Sequence, residues 1–401
     1  EKVSIDALRE ARRREAHLPP VSVFRWWARR TESVVGALID AVEVDRPGPL
    51  SIADPFAGGG TIALAAAIRG HRVYAQDINP WAIKGLTTSM TLPPRPLIEE
   101  AAAALHDHLA GVLADAYEVD GITVLRTMRV KVGRCPHCAA ELRLYPTGLV
   151  SLERRVDRGG TQGWLACPAG HLVHGDLSKN WRCKDCHRIA SPQAKYTAGG
   201  KITCFSCRKV SALVDLEDTC WVPTLVEVLD DAGRRIRPPT QTEAERAESA
   251  RWKPQRSLGT IPEGAETKTL LRHGFRRWED LYPRRQRFVM ERMLSAIPDV
   301  VDDVRAQRAI ETALIGVAEF AGYLSRWDAR YLKPYEAIAN HRYQATTFAV
   351  EPHVWGVKHM GRGTASARLK ALSKAADWSA EKLAGRKIRV RRSLRRTSLG
   401  S

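Results

Sequence analysis

No run of eighteen apolar residues occurs among the 401, which excludes a membrane-crossing helix and a membrane partner of that kind. No basic segment leading into an apolar stretch opens the sequence, so a secretory leader is not expected and the chain is expected to be cytoplasmic. Acidic residues are scarce. Asp and Glu number 45 against 63 Lys and Arg, giving a formal net charge of +18 and a pI near 9.8. That excess exceeds what solubility requires and points to a polyanionic partner, most simply nucleic acid, without separating DNA from RNA. No internal repeat stands out beyond two cysteine-bearing stretches, and no histidine has a spacing that argues for a general base. What remains is long enough for two or three domains with cores of their own.

The densest signal is "SIADPFAGGGTIALAAAIRGHRVYAQDINPWA" at 51 to 82. Leu50 to Ala53 is a short apolar run ending at Asp54, which suits a buried parallel strand. Gly58, Gly59 and Gly60 let the chain turn sharply beside a ligand. Ile62 to Ile68 predicts a helix stopped at Gly70, and Arg72 to Gln76 a second strand closed by Asp77. Asn79 is placed to cap a further helix with Pro80 at its first position. Strand, glycine turn, helix, strand and acid together open a Rossmann-like sheet. Gly58-x-Gly60-x-x-Ala63 also fits the dinucleotide fingerprint, so NAD or FAD is one candidate ligand and an empty structural loop another. Asp54, at the strand tip before the glycines, would repel a pyrophosphate but welcome a cation. S-adenosylmethionine carries an ammonium and a sulfonium and no phosphate, so it is the ligand this pattern favours, with Asp77 accepting from the ribose hydroxyls.

Cysteine usage is the second signal. Cys183-x-x-Cys186 and Cys204-x-x-Cys207 stand at zinc-ribbon spacing and are expected to share one ion. Cys135-x-x-Cys138 with Cys167 and His171 makes a second set, with His174 as the other candidate for its fourth ligand. Four protein ligands leave no position for water, so both zinc ions are expected to be structural, folding a segment poor in apolar residues. A disulfide reading would need an oxidising compartment, for which the sequence offers no support. Cys220 is left over and reads as a small buried residue. Cations interleaved with Tyr145, Trp164, Trp181 and Tyr196 across this segment suit contacts to phosphates and bases. A ribbon that merely packs on its neighbours is the alternative.

"DPFAGGGT" resembles motif I of the amino-group DNA methyltransferases, which modify N6 of adenine or N4 of cytosine, and "DINPWA" resembles the segment after their second strand. "VFRWWARR" at 23 to 30 is similar to the stretch before motif I in bacterial methylases of this class that carry zinc ribbons. "WEDLYPRRQRFVMERML", matched through Arg285 and Gln286, and "HRYQATTFAVEPHVWG" resemble later segments of those enzymes. The resemblance implies cofactor contacts at Asp54, Pro55, Phe56, Ala57, Gly58, Gly60 and Thr61, and at Asp77 and Ile78. It also implies that Phe24 and Trp26 close the methionine end of the site, unless they are core aromatics of a first helix.

The family's catalytic tetrapeptide, Asp/Asn/Ser-Pro-Pro-aromatic, accepts the amine hydrogens and stacks on the flipped base. Leu18-Pro19-Pro20-Val21, Leu92-Pro93-Pro94-Arg95 and Arg237-Pro238-Pro239-Thr240 all lack its flanking residues. No catalytic residue is therefore assigned to this chain.

The resulting expectation is an α/β fold. A Rossmann-like S-adenosylmethionine-binding half spans 1–95, with a connecting helix at 96–124 and two DNA-contacting zinc ribbons at 125–221. A polar linker follows at 222–268, then a helical region with a basic tail at 269–401. The chain reads as the cofactor-binding and DNA-recognising subunit of a split methyltransferase, whose second subunit supplies the missing motif. A truncated enzyme and a zinc-ribbon DNA-binding module with an inactive fold are the alternatives.

Overall fold

The computed structural model describes residues 17–26, 28–338, 343–357 and 361–386. The chain is mixed α/β with several sheets and divides into two units. One comprises Glu1–Ala104, Ile297–Ile315 and Leu369–Ser401; the other comprises Leu105–Ala296 and Gly316–Arg368. No helix among the described residues is long and apolar enough to cross a membrane.

The first unit contains helix α1 (Glu32–Asp45), strand β1 (Ser51–Asp54), helix α2 (Thr61–Ile68), strand β2 (Arg72–Ala75) and helix α3 (Pro80–Met90). β1 and β2 pair in parallel, Ser51 opposite Arg72 and Asp54 opposite Ala75, with α2 as the crossover. Ile39 of α1 and Ala65 and Ala66 of α2 pack with Ile52 and Val73 to cover the pair. Gly70 ends the α2 segment at φ 87°, where an L side chain would be strained. Asn79 caps α3 by accepting from the Trp81 amide at 2.9 Å, with Pro80 at the first position. Each of these stops and caps is where the residue types predict it. The strands themselves differ from expectation. Among the described residues this sheet has only two strands, and Ser51 and Ala53 of β1 are exposed. A parallel strand is buried when neighbours flank both edges and helices cover both faces; β1 has one neighbour.

Helix α4 (Arg95–Tyr117) leads into the second unit, matching the predicted connecting helix. There, β3 (Glu118–Val119) turns into the long β4 (Ile122–Arg134), and β5 (Glu141–Arg143) follows. Met128, Val130 and Val132 of β4 join Leu225, Ile236, Phe348 and Val350 in the main core. Thr127, Arg129 and Lys131 alternate with them and are also buried. β6 (Leu149–Leu152), β7 (Gln162–Ala166) and β8 (Leu172–Asp176) form an antiparallel sheet of three strands. β9 (Trp181–Arg182) pairs with β10 (Ile189–Ala190), and β11 (Lys201–Thr203) with β12 (Val210–Ala212).

The stretch expected to be a polar linker is instead part of the central sheet. β13 (Glu217–Asp230) pairs antiparallel with β4 along its length, and β14 (Gly233–Arg237) pairs with β13. Its charges are spent on partners: Glu227 pairs with Arg126 and Arg234, and Arg237 with Glu243 at 2.7 Å. Thr240 and Glu243 then form a capping box for helix α5 (Gln241–Glu248). Charged composition alone had suggested a solvated tether. The predicted boundaries at 221 and 268 correspond to no unit boundary.

The region expected to be helical does contain α6 (Lys268–Arg272), α7 (Arg284–Val300) and the helices Val304–Ile315 and Ala365–Lys382. It also holds the hairpin β15 (Trp327–Asp328) and β16 (Lys333–Pro334), and β17 (Phe348–Pro352), which pairs with β4. Glu351 on β17 anchors a buried charge cluster. Its carboxylate receives Arg129 at 2.7 Å and Arg285 at 2.9 Å, and Arg129 also pairs with Glu248. Arg285 donates further to Thr127 Oγ1 at 2.9 Å and to the Ala116 carbonyl at 3.2 Å. Gln286 bonds the Pro352 carbonyl at 3.1 Å and the Gly322 amide at 2.9 Å. Arg285 and Gln286 are thus cross-links of this unit's interior. The basic tail from 387 onward lies outside the described residues.

Candidate cofactor and metal sites

The turn between β1 and α2 is built by glycine. Gly58 and Gly60 adopt φ 49° and 77°, and Gly60 is the N-cap of α2. Asp77, just past β2, ties the turn down: its Oδ2 accepts from the Gly58 amide at 2.8 Å and its Oδ1 from the Asn79 amide at 2.8 Å. The Ala57 amide donates to the Gln76 carbonyl at 2.9 Å, so both strand ends and the turn form one hydrogen-bonded rim. Asp54 sits beneath that rim, 4% exposed. Its Oδ1 accepts from the Phe56 amide at 3.2 Å, while its Oδ2 is buried with no hydrogen-bond partner among the described residues. Burial raises the Asp54 carboxyl above the usual aspartate range, opposed by the Phe56 amide and reinforced by the nearby Asp77 charge.

An ionisable oxygen left without a partner in a buried position is costly unless a donor arrives. An ammonium or a sulfonium-bearing group is the sort of donor or cation that would relieve it. Thr61 and Ala57 are buried against the turn, Pro55 is exposed, and Phe56 and Ile78 stand almost fully in solvent beside Asp54 and Asp77. The residues carried over to the turn are thus brought together, with apolar side chains free on its outer side.

Trp26 and Phe24 part ways. A Cβ on Gly58 would stand 2.6 Å from the Trp26 indole nitrogen, and one on Gly59 3.4 Å from its Cδ1, so Trp26 lies directly on the turn. Phe24 is 1% exposed, with its ring 2.3 Å from where a Gly85 Cβ would be and edge-on to Trp81 at 6.1 Å. It packs α3 and leaves no surface for a ligand, which corrects the expectation that it closes the site. Leu86 fills the space above Gly60 in the same way.

Eight ligand atoms gather into two groups, though not in the predicted pairing. Cys135, Cys138, Cys204 and Cys207 form one, and Cys167, His171, Cys183 and Cys186 the other, each with all its ligand atoms within 4.8 Å of one another. Either group could hold a zinc ion. Zn–S bonds of about 2.3 Å in a tetrahedron put sulfurs about 3.8 Å apart. The observed separations are 3.8 Å for Cys135 and Cys207, 3.6 Å for Cys138 and Cys204, and 3.6 Å for Cys167 and Cys186. His171 Nδ1 is 3.5 Å from Cys183 Sγ. His174 lies elsewhere, paired with Glu153 at 2.9 Å. Cys220, expected to be buried, is exposed on β13.

The four ligand turns share one plan. The Cys135, Cys183 and Cys204 amides donate to the carbonyls of Ala140, Arg188 and Lys209, and those of Ala139, His187 and Arg208 return to the three cysteine carbonyls. Ala139, His187 and Arg208 each take a positive φ, from 58° to 65°. The Cys167 turn reaches the same end with Gly170 at φ 84°. The Ala140 amide aims at Cys138 Sγ and lowers that thiol to about 7, toward the thiolate a metal takes.

The four aromatics read as base contacts are interior. Tyr145 is 1% exposed and its hydroxyl meets Thr224. Trp164 donates to the Ile236 carbonyl, Trp181 to Asp176 and Tyr196 to Ala166, each at 2.9 Å. Each spends its polar handle on the backbone, so the alternative, packing, is what these four do.

Comparison with known protein families, curated proteins and solved structures finds no match to this chain.

Proposed function

We propose that this chain is the S-adenosylmethionine-binding and DNA-recognising subunit of a split DNA amino-methyltransferase, acting on adenine N6 or cytosine N4. The observation that carries the reading is the Asp54 carboxylate, buried with one oxygen unpartnered beneath a glycine turn that Asp77 closes. In a Rossmann-like half-domain, Asp54 would hold the cationic end of the cofactor, and Asp77 would accept the ribose hydroxyls with its remaining lone pairs. The bound cofactor supplies an activated methyl group. This chain's part is to orient it, so that transfer depends mainly on positioning.

Two features support a partner that brings the catalytic tetrapeptide. The motif is absent from these 401 residues, and β1 has a neighbour on one edge only among the described residues. A lone parallel pair is a poor free-standing sheet, so further strands from a second chain would complete it. Each cysteine cluster takes one structural zinc, and the zinc-bearing unit provides the DNA contact that the +18 charge calls for.

Calorimetric titration tests the cofactor site. S-adenosylmethionine should bind the purified chain, and Asp77→Ala should weaken it at least roughly tenfold by removing a charge-assisted hydrogen bond and loosening the turn. Unchanged affinity in that variant would sink the assignment. A second reading, a zinc-dependent DNA-binding protein without methyl transfer, draws on Trp26 and Leu86, which already fill the space over the glycines. It predicts no heat in the same titration.

A further inference from the structure

Sequence places cation-and-aromatic pairing inside the zinc-bearing segment, but the structure assembles it from two distant stretches of the second unit. The β6–β7 connection, Glu153 to Thr161, meets the β15–β16 turn: the Leu152 amide bonds the Ala329 carbonyl at 2.8 Å, and the Val156 amide bonds Arg330 at 3.0 Å. Arg155 lies over the Tyr331 ring at 5.9 Å, and Lys333 approaches the same ring at 5.2 Å. Lys333 and Arg326 both approach the Tyr335 ring, at 5.7 and 5.5 Å. Tyr331 is 40% exposed at the tip. Arg154, Arg158 and Arg330 are exposed and make no ion pair among the described residues. The acids nearby are engaged: Asp157 with Arg155, Glu153 with His174, and Asp328 with the Arg330 and Tyr331 amides and the Tyr335 hydroxyl.

The turn is also held under strain. Leu332 follows Tyr331 at φ 51°, a conformation costly for a branched side chain, while its amide bonds the Asp328 carbonyl at 2.9 Å. Nothing about hairpin closure requires a tyrosine there. The strain fixes an aromatic ring at the tip of a cationic surface.

Resting on the functional reading above, we propose that this surface grips a DNA strand. An unstacked base lies on the Tyr331 ring or the Arg155 guanidinium plane, and Arg154, Arg158 and Arg330 pair with flanking phosphates. Charge complementarity selects a polyanion, and the ring set among cations selects one with π-faces. A protein partner rich in carboxylates would use the arginines and leave Tyr331 idle.

Fluorescence anisotropy of the full chain with a labelled single-stranded DNA oligonucleotide decides the matter. Tyr331→Ala should weaken binding roughly 5- to 100-fold and Tyr331→Phe hardly at all, since stacking needs only the ring. Replacing Arg154, Arg158 and Arg330 together by Gln should flatten the dependence of log affinity on log salt by about two. Zinc content and S-adenosylmethionine affinity, measured on the same variants, should not move. If the wild type binds DNA and both variants bind equally well, the surface lies elsewhere, while the functional reading survives. No DNA binding by the wild type, or binding of an RNA strand tighter than DNA, also overturns the proposal, and cofactor titration then judges the enzyme reading separately.

Discussion

Glu351 and Asp54 are both buried carboxylates, and their surroundings oppose each other. Burial would raise Glu351, but the Arg285 and Arg129 charges outweigh it and hold the group below the usual glutamate range. A lowered folded-state pKa stabilises the fold above the unfolded value, and the contribution is lost as pH falls through the lowered one. Glu351→Ala leaves two buried guanidiniums short of a partner and should cost about 3–5 kcal/mol, read from urea unfolding midpoints. A loss under about 1 kcal/mol would mean that the cluster is not desolvated in solution. For Asp54 the sign reverses. Its raised pKa means that its charge opposes folding at neutral pH until a cation arrives. S-adenosylmethionine affinity should therefore fall as pH drops through that raised value, at a higher pH than an exposed aspartate titrates, and Asp54→Asn should flatten the profile. Both carboxylates are visible in sequence as acids, yet only Asp54 stands in a recognisable pattern. Glu351 lies in "FAVEP", where nothing local says that two arginines from β4 and α7 will meet it.

At the scale of elements, four metal-ligand turns with one hydrogen-bonding plan are nested. The pair bearing Cys135, Cys138, Cys204 and Cys207 brackets in sequence the pair bearing Cys167, His171, Cys183 and Cys186. Zinc stoichiometry separates this pairing from the sequential one. Cys135→Ser with Cys204→Ser strikes one cluster and should leave one zinc per chain. Cys135→Ser with Cys167→Ser strikes both and should leave none, by elemental analysis of the purified variants. The reverse pattern would restore the sequential pairing. All eight ligands were legible from spacing, because a Cys-x-x-Cys turn carries its chemistry locally. Their partners were not, since seventeen residues between Cys186 and Cys204 satisfy ribbon spacing as well as the nested arrangement does. Caps and stops in 51–90 were equally legible: Gly70, Asn79 and Pro80 act through their own backbone. β13 was missed because its ion-paired Glu227 and Arg237 look like solvated charge until Arg126 and Glu243 are placed beside them.

For the molecule as a whole, the account joins a cofactor turn in one unit to a zinc-bearing, cationic unit in the other, each described by itself. The resemblance that suggests methyl transfer rests on motif-sized segments, and the buried carboxylate beneath the turn is the physical reason to pursue it. Tyr331 and Arg155 were invisible as a pair in sequence because 176 positions separate them. The most direct test is methyl transfer from labelled S-adenosylmethionine to duplex DNA, by the isolated chain and by the chain together with a copurifying subunit that carries the catalytic tetrapeptide. The account predicts label on DNA only when both are present. Label transferred by the isolated chain would contradict the split, and none transferred by the complex would contradict the enzyme.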